Sequence, residues 1–498
     1  MERLSINLSD YGLATQQDGL HMGGSSMAEV NQLNKALAAE DITGRDTANL
    51  TTASGAPLKV ESLEKTLKHL TFRESDIRLW KDLPKKPAYN TVEEYNQQTS
   101  YGENRGGWNN EGELPEEEDS VFVRRAQLVK YLGVTKSVTH QMTLVNTMIG
   151  SVMEKTIKDG TMWILRTLNQ GLYFGDEKLV PQQFNGFLAQ QMRSDAWPSY
   201  DAYMSSEHVI DMRGSVLTED AIESGANSIV ENYGLATQLY AAPSVCSNFV
   251  KTFYGDKFIQ PNTAALSAGV MGQKVVAFDS QFGQIGLNHD VFFRKLPSRN
   301  SNSAATSLKA PATPVWDGSS PVTVVPSVSG SKFTTADAGN VYYAVSAINR
   351  FGESALAIYS TSAAAVVAGC AVDLKFAAGV GTNAATAFRI YRTKAGGAAT
   401  GEFYPVFEVS TAELTAGYDG ALGGLVRDMN HFLPDCDQAM LLQFDNEVVE
   451  FAQLAPLMKM DLAVLSPAFR FMILLYGTPF LYAPKKMVRI VNIGKNRS

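Results

Sequence analysis

The stretch Met142 to Leu172, MTLVNTMIGSVMEKTIKDGTMWILRTLNQGL, constrains the fold of this chain more than any other. Apolar residues recur at Val145, Met148, Ile149, Val152, Met153, Ile157, Ile164, Leu165, Leu168 and Leu172. That i, i+3, i+4, i+7 spacing is one face of a helix. A helix of about 30 residues is roughly 45 Å long at 1.5 Å per residue, against about 11–12 residues for the usual helix of a compact domain. Gly150 and Gly160 interrupt it, each at about 1 kcal/mol against Ala. Two readings are open: a long core helix bent at a glycine, or a spine onto which flanking β segments are laid. The flanking sequence decides between them.

Residues Met1 to Ala56 are polar, and only Met27 to Ala39 has a helical pattern. Such a stretch cannot offset its own ordering entropy. It is expected to be an arm that packs on its own domain or across a neighbouring subunit. Pro57 to Phe72 reads as a short amphipathic helix with Val60, Leu63, Leu67 and Leu70 on one face. Asp76 to Trp80 is strand-like, and so are Val121 to Val123 and Leu128 to Thr139. Thr91 to Tyr101 is polar with spaced aromatics, and a polar tip, Gly102 to Ser120, follows it. Two strands around so long a tip make an extended hairpin. A lone two-stranded ribbon is marginal in water, so it needs another surface to lie on.

The tip carries Trp108 and the acidic run Glu116, Glu117, Glu118 and Asp119. These five are the candidate contacts between subunits. The acids read either as a solvated turn or as a group that docks onto basic residues of a neighbour. No histidine lies near them and their spacing matches no calcium loop.

After the helix the pattern is α+β. Leu217 to Tyr233 predicts a helix capped by Thr218, with Asp220 at the positive end of its dipole. Leu239 to Pro243 predicts a buried strand, Ser244 to Phe253 a short helix, and Val275 to Phe278 and Gly286 to Phe293 two more strands. Composition then shifts to a Ser/Ala/Pro/Thr-rich linker, Ser298 to Ser320. Short strands follow at Val341 to Asn349, Val372 to Phe376, Phe388 to Arg392 and Tyr404 to Val409, closing at Tyr418 to Gly420. That series suggests an antiparallel sandwich inserted in the α+β region. The earlier pattern resumes at Ala439 to Phe444, Glu447 to Leu462, Phe469 to Tyr476 and Met487 to Ile493.

In order and length, these elements resemble the Hong Kong 97-type fold of tailed-phage major capsid proteins, over about residues 57–298 and 430–498. The resemblance implies an N-terminal arm at 1–56, a helix and extended-loop hairpin at 57–141 and a spine helix at 142–172. It implies a peripheral and axial α+β region at 173–298, to which 429–498 returns. The inserted segment 299–428 resembles immunoglobulin-like and fibronectin type III domains in its Tyr-x-Val-x-Ala-x-Asn-x-x-Gly-Glu-Ser run from Tyr343 and in Ile390-Tyr391-Arg392. Its late-strand motif comes first, which departs from their usual order. By the same resemblance the chain is a major head protein. It would assemble with itself through pentamers and hexamers into an icosahedral shell that encloses double-stranded DNA. The inserted sandwich would be an outward decoration. Portal, scaffold or decoration proteins would be further partners, DNA a neighbour without sequence-specific contact, and no membrane is implied. Its place would be the virion capsid, assembled in the host cytoplasm. Some capsid proteins cross-link lysine to asparagine; Lys85 and Lys86 lie in the loop without a flanking motif for it. The alternative is a tail or baseplate component that uses the sandwich to bind a receptor.

Composition agrees with a structural role. Lys plus Arg is 43 and Asp plus Glu is 51, a net charge of −8. Gripping nucleic acid needs clustered Lys and Arg, so the chain is expected to stand beside DNA rather than hold it. Three dispersed cysteines, Cys246, Cys370 and Cys436, without a C-x-x-C, suggest neither a disulfide framework nor a thiolate zinc site. No secretory signal opens the sequence, and the longest apolar run, Phe471 to Tyr476, is far short of the roughly 20 residues of a membrane helix. The six histidines are scattered, and neither a G-x-S-x-G elbow nor a phosphate-binding P-loop occurs. Gly379 to Ala384 superficially fits a dinucleotide fingerprint but precedes a strand. No catalytic, cofactor-binding or metal-ligating residue is expected. A carbohydrate-active enzyme with an accessory sandwich is the rival, and it lacks an isolated carboxylate pair.

Overall fold

The computed structural model describes residues 71–495, apart from 103–107, 115–117, 146–150, 193–207, 257–274, 294–295, 417–423 and 464–465. The expected arm and nearly all of the helix Pro57 to Phe72 lie outside these residues.

The long helix is shorter than its apolar spacing predicts. It runs Val152–Phe174, 23 residues. Ser151 caps it, its hydroxyl oxygen accepting the Glu154 backbone N–H at 3.4 Å. A separate short helix, His140–Leu144, precedes it, and Val145 is extended. The apolar period continues through this break, but Ser151 offers the backbone an N-cap and starts a new helix there. Gly150 lies outside the described residues. The helix runs through Gly160 without a break: a Cβ there would lie 2.7 Å from Ile473 Cδ1, so glycine lets the helix sit close on the sheet below.

That sheet has four strands, in the order Lys85–Pro87, Val449–Asp461, Ala468–Leu481, Lys130–Thr139. The last three are antiparallel and the first is parallel to its neighbour. Ile164, Leu168, Leu172 and Tyr173 of the helix are fully buried against Phe471, Ile473 and Leu475 of the sheet and against Leu79, Leu83 and Phe451. The helix therefore buries its apolar face against this sheet.

A six-stranded mixed sheet supplies the second core. Its order is Val209–Asp211, Met487–Ile493, Asp437–Leu442, Gln238–Ala241, Gly283–His289, Ala277–Ser280. The helices Glu219–Glu231 and Pro243–Asp256 pack on it through Ile222, Ala226, Ile229, Val245 and Phe249. Thr218 caps the first as its sequence predicts, accepting the Ala221 N–H at 3.3 Å. The two sheets share residues: Tyr240, Met440 and Leu442 of the six-stranded sheet belong to the core under the long helix.

A buried polar bridge fixes that junction. Asp290, at the end of Gly283–His289, is fully buried. Its Oδ2 accepts from the Asn169 amide at 2.8 Å and the Tyr173 hydroxyl at 3.0 Å, both on the long helix. Its Oδ1 accepts the Phe292 N–H at 2.8 Å. Asn169 Oδ1 in turn accepts the Trp80 N–H at 3.1 Å. Burial, and then the Asp290 charge, push the Tyr173 hydroxyl far above its ordinary pKa, so it stays a donor.

Two expectations need correction. Asp76 to Trp80 is not a strand but two helical turns, Glu74–Asp76 and Leu79–Asp82, because Asp76 folds back to accept the Arg73 N–H at 2.7 Å. Of the stretch Leu128 to Thr139, only Leu128 belongs to the hairpin. The ribbon is Val92–Ser100 paired with Val121–Leu128, whereas Lys130–Thr139 pairs along Ala468–Leu481.

Within the segment 299–428, one antiparallel sheet holds Gly352–Glu353, Tyr343–Asn349, Ala387–Arg392 and Tyr404–Ser410. Another holds Val322–Val325, Ala371–Ala377 and Leu425–Asp428. Val345, Phe388 and Ile390 of the first and Val372, Leu374 and Phe376 of the second share one core. A short helix, Thr411–Ala416, follows Tyr404–Ser410; Tyr418 to Gly420 lie outside the described residues.

Leu168→Ala should destabilise the unassembled chain by about 2–5 kcal/mol, the usual range for a fully buried leucine. A fall in the guanidinium unfolding midpoint without a change in slope is the check, and an unchanged midpoint would contradict this core.

Candidate assembly interface

The ribbon is rooted in the four-stranded sheet through aromatic and amide contacts. Tyr95 meets Phe480 and Tyr482 edge-on, with ring centroids 5.4 and 4.9 Å away. The Gln97 side-chain amide donates to the Tyr482 carbonyl, and Gln127 donates to Gln190 Oε1 at 2.8 Å. Lys85 and Lys86 are at this root. The Lys86 ammonium lies 4.9 Å from the Phe480 ring centre and 3.9 Å from Glu450 Oε2. Lys85 lies 4.4 Å from the Trp80 ring centre, and burial lowers its pKa.

Val92 and Leu128 are exposed at the body end of the ribbon, Val121 and Phe122 at its far end, and Tyr101, Trp108 and Leu114 around its tip. Trp108 is 97% exposed. Of the candidate acids, Glu118 and Asp119 are exposed; Glu116 and Glu117 lie outside the described residues. Glu118 lies against Gly102, where a Cβ would come within 2.6 Å of Glu118 Oε2.

Sequence reasoning passed over Glu111, Glu113 and Leu114. The signal was there in Asn109-Asn110-Glu111-Gly112-Glu113. The Glu113 N–H donates to the Asn110 carbonyl at 3.1 Å, and Gly112 supplies the positive φ of 91° that this turn requires. The Asn110 backbone N–H and side-chain amide both donate to Glu113 Oε2, at 3.1 and 2.9 Å. They hold its carboxyl below the ordinary range, so the tip keeps this charge into mild acid.

The most deeply buried charges are consumed within the fold. Glu353 accepts from the Ser346 hydroxyl at 2.6 Å, the Arg299 guanidinium at 2.8 Å, the Tyr391 hydroxyl and Arg389. Arg392 pairs with Asp428 at 2.6 Å, and Tyr343 donates to the same oxygen at 2.8 Å. The second cluster continues to the six-stranded sheet. Asn430, at φ 63°, donates to Asp337 at 3.0 Å, which also takes Arg213 at 3.0 Å. Among the described residues no group of three or more His, Cys, Asp or Glu is placed to hold a metal ion, and no helix is long and apolar enough to cross a membrane.

No protein-family model matches the chain. Over 489 residues it is 23% identical to the major capsid protein of Staphylococcus phage K, covering 94% of this chain and 98% of that one. It is likewise 23% identical over 440 residues to the putative major capsid protein of Enterococcus phage phiEF24C, covering 88% and 90%. The likeness is to phage major capsid proteins. Among solved structures, the capsid of an empty GTA particle aligns with 89% of this chain and 98% of its own, at 8% identity and a TM-score of 0.45.

Burial alone would raise the Glu353 carboxyl, but Arg389, Ser346, Tyr391 and Arg299 outweigh it and hold the group below its ordinary 4.5. A depressed folded pKa gives stability that is present above the unfolded value and lost as pH falls through the folded one. Glu353→Gln should therefore cost about 3–5 kcal/mol at neutral pH, as for a broken buried pair. Its gap from the unsubstituted chain should narrow as pH drops below 4.5. Chemical unfolding at pH 7, 5 and 3.5 reads this directly; a gap that widens in acid would contradict it.

Proposed function

We propose that this chain is the major capsid protein of a tailed bacteriophage, a self-assembling shell subunit of the Hong Kong 97-type fold. Near full-length similarity to phage major capsid proteins carries this reading. The geometry is consistent with it. A ribbon with an exposed tryptophan and acids at its tip, rooted beside a long buried helix, presents surface suited to contact with another molecule. The work of such a protein is done by interfaces and not by catalysis.

In this reading Trp108, Glu116, Glu117, Glu118 and Asp119 lie over a neighbouring subunit, and copies meet around pentamer and hexamer axes. The segment 299–428 is an inserted immunoglobulin-like sandwich on the outer side. Portal, scaffold or decoration proteins join the shell, and the virion forms in the host cytoplasm. The acidic balance, 43 basic against 51 acidic residues, lets packaged DNA slide past without being gripped.

Purified full-length chain, alone and co-expressed with the other head proteins of its phage, should give closed particles or rings of five and six subunits by negative-stain microscopy and light scattering. Filaments would indicate a tail component, and a monomer under both conditions would refute the shell reading. Assembled shells should bind duplex DNA weakly at moderate salt, and tight binding there would contradict the proposed charge logic.

A further inference from the structure

The segment 299–428 ends in a basic, aromatic tip of its own. The hairpin turn Asn349 to Gly352 carries Arg350 and Phe351, with Gly352 at φ 157°. The Arg350 guanidinium lies 4.5 Å from the Phe351 ring centre, and the Lys309 ammonium 5.3 Å from the same centre. The Asn349 amide donates to the Lys309 carbonyl at 2.9 Å and so ties the two loops together. Leu308 and Val380 are fully exposed. Val380 stands between two glycines pressed on the loop that follows Lys309: a Cβ at Gly379 would lie 2.1 Å from the Thr313 carbonyl oxygen, and one at Gly381 2.9 Å from Ala312 Cβ.

Other cations of this segment are paired with carboxylates, even where they also lie over a ring, as Arg392 does over Phe333. Arg299 and Arg389 are taken by Glu353, Arg392 by Asp428, Arg427 by Asp373 and Lys375 by Asp317. Lys309 and Arg350 rest on a ring instead. Among the described residues neither forms an ion pair. A cation on an aromatic face keeps its donors free for an anion.

The ribbon tip has the complementary chemistry. Glu111, Glu113, Glu118 and Asp119 are exposed there with Trp108 and Leu114. Among the described residues no hydrogen bond or ion pair joins the two tips within a subunit. One tip pairs cations with exposed aliphatics, the other acids with an exposed indole. Bringing them together neutralises charge and removes apolar surface from water.

We propose that the tip formed by Lys309, Arg350, Phe351, Leu308 and Val380 receives the acidic ribbon tip of a second copy of this chain. The inference rests on the shell-subunit reading. It makes the segment part of the lattice: each ribbon is held at its root by its own subunit and clasped at its far end by another.

Two measurements on assembled particles test the pairing. Lys309→Glu with Arg350→Glu should lower the denaturant midpoint for particle dissociation, and Glu111→Lys with Glu113→Lys should do the same. All four changes together should restore most of the loss. Separately, Glu113→Cys with Arg350→Cys should give disulfide-linked dimers and longer ladders on oxidation of particles, and none from the unassembled chain or from either single variant. Particles that dissociate alike in all variants and give no ladder would overturn the pairing while leaving the shell reading intact. Loss of heparin binding in Lys309→Glu with Arg350→Glu particles, with assembly unchanged, would overturn it in favour of an external polyanion. Failure of the unsubstituted chain to form particles with its head partners would overturn the shell reading and this pairing with it.

Discussion

The two sheets hold together through one crowded contact, where the inner face of the long helix meets Tyr240, Phe293 and the carboxylate of Asp290. Apolar burial there is non-directional, but the Asp290 bridge is not. Asn169 and Tyr173 must both aim at one oxygen, which sets the rotation of the helix about its axis and its height along the six-stranded sheet. With the helix fixed, Gly160 sets its distance from the four-stranded sheet. The root of the ribbon inherits its position from that sheet. A single buried acid thus fixes the frame from which the distant exposed surfaces are measured.

Charge is used in two ways. Glu353 and Asp428 sit among arginines and hydroxyls that satisfy nearly every lone pair, the condition under which buried ions are tolerated. They order the interior of their segment, and the Arg392 cluster reaches Arg213 through Asn430 and Asp337. Surface acids and cations at the two tips are left open to other molecules. The net charge of −8 conveys none of this, because it sums over charges already spent inside the fold.

Much of the frame was legible in the sequence because it rests on local periodicity. Ile164, Leu168 and Leu172 recur at helical spacing and are all buried. Thr218 caps the helix it was expected to cap. The misses have a common physical cause: a local device competed with a longer pattern. Ser151 began a new helix inside an unbroken apolar period. Asp76 turned a strand-like stretch back on itself. Leu128 to Thr139 has strand character throughout, but nothing local says that Leu128 ends one ribbon while Lys130 joins a different sheet. Partner choice between strands is a long-range property. The tip was only half legible for a similar reason. A run of four acids stands out in the sequence, whereas Glu113 is defined by the turn that Gly112 permits.

The proportions of the ribbon have a mechanical consequence. Its strands of 9 and 8 residues extend roughly 30 Å at about 3.4 Å per residue. Its root is a small aromatic and amide contact around Tyr95 and Gln97. Tyr95 and Gln97 sit near mid-strand, so about 10 Å of strand lies beyond Gln97, and a pivot of about 10° there moves Ser100 through roughly 2 Å and the tip beyond it further. In the proposed shell, the body of the subunit need not deform for Trp108 to meet a neighbour set at a slightly different angle. In that proposed shell a lever of this kind lets one fold occupy positions of unequal curvature, with the adjustment confined to a hinge a few side chains wide.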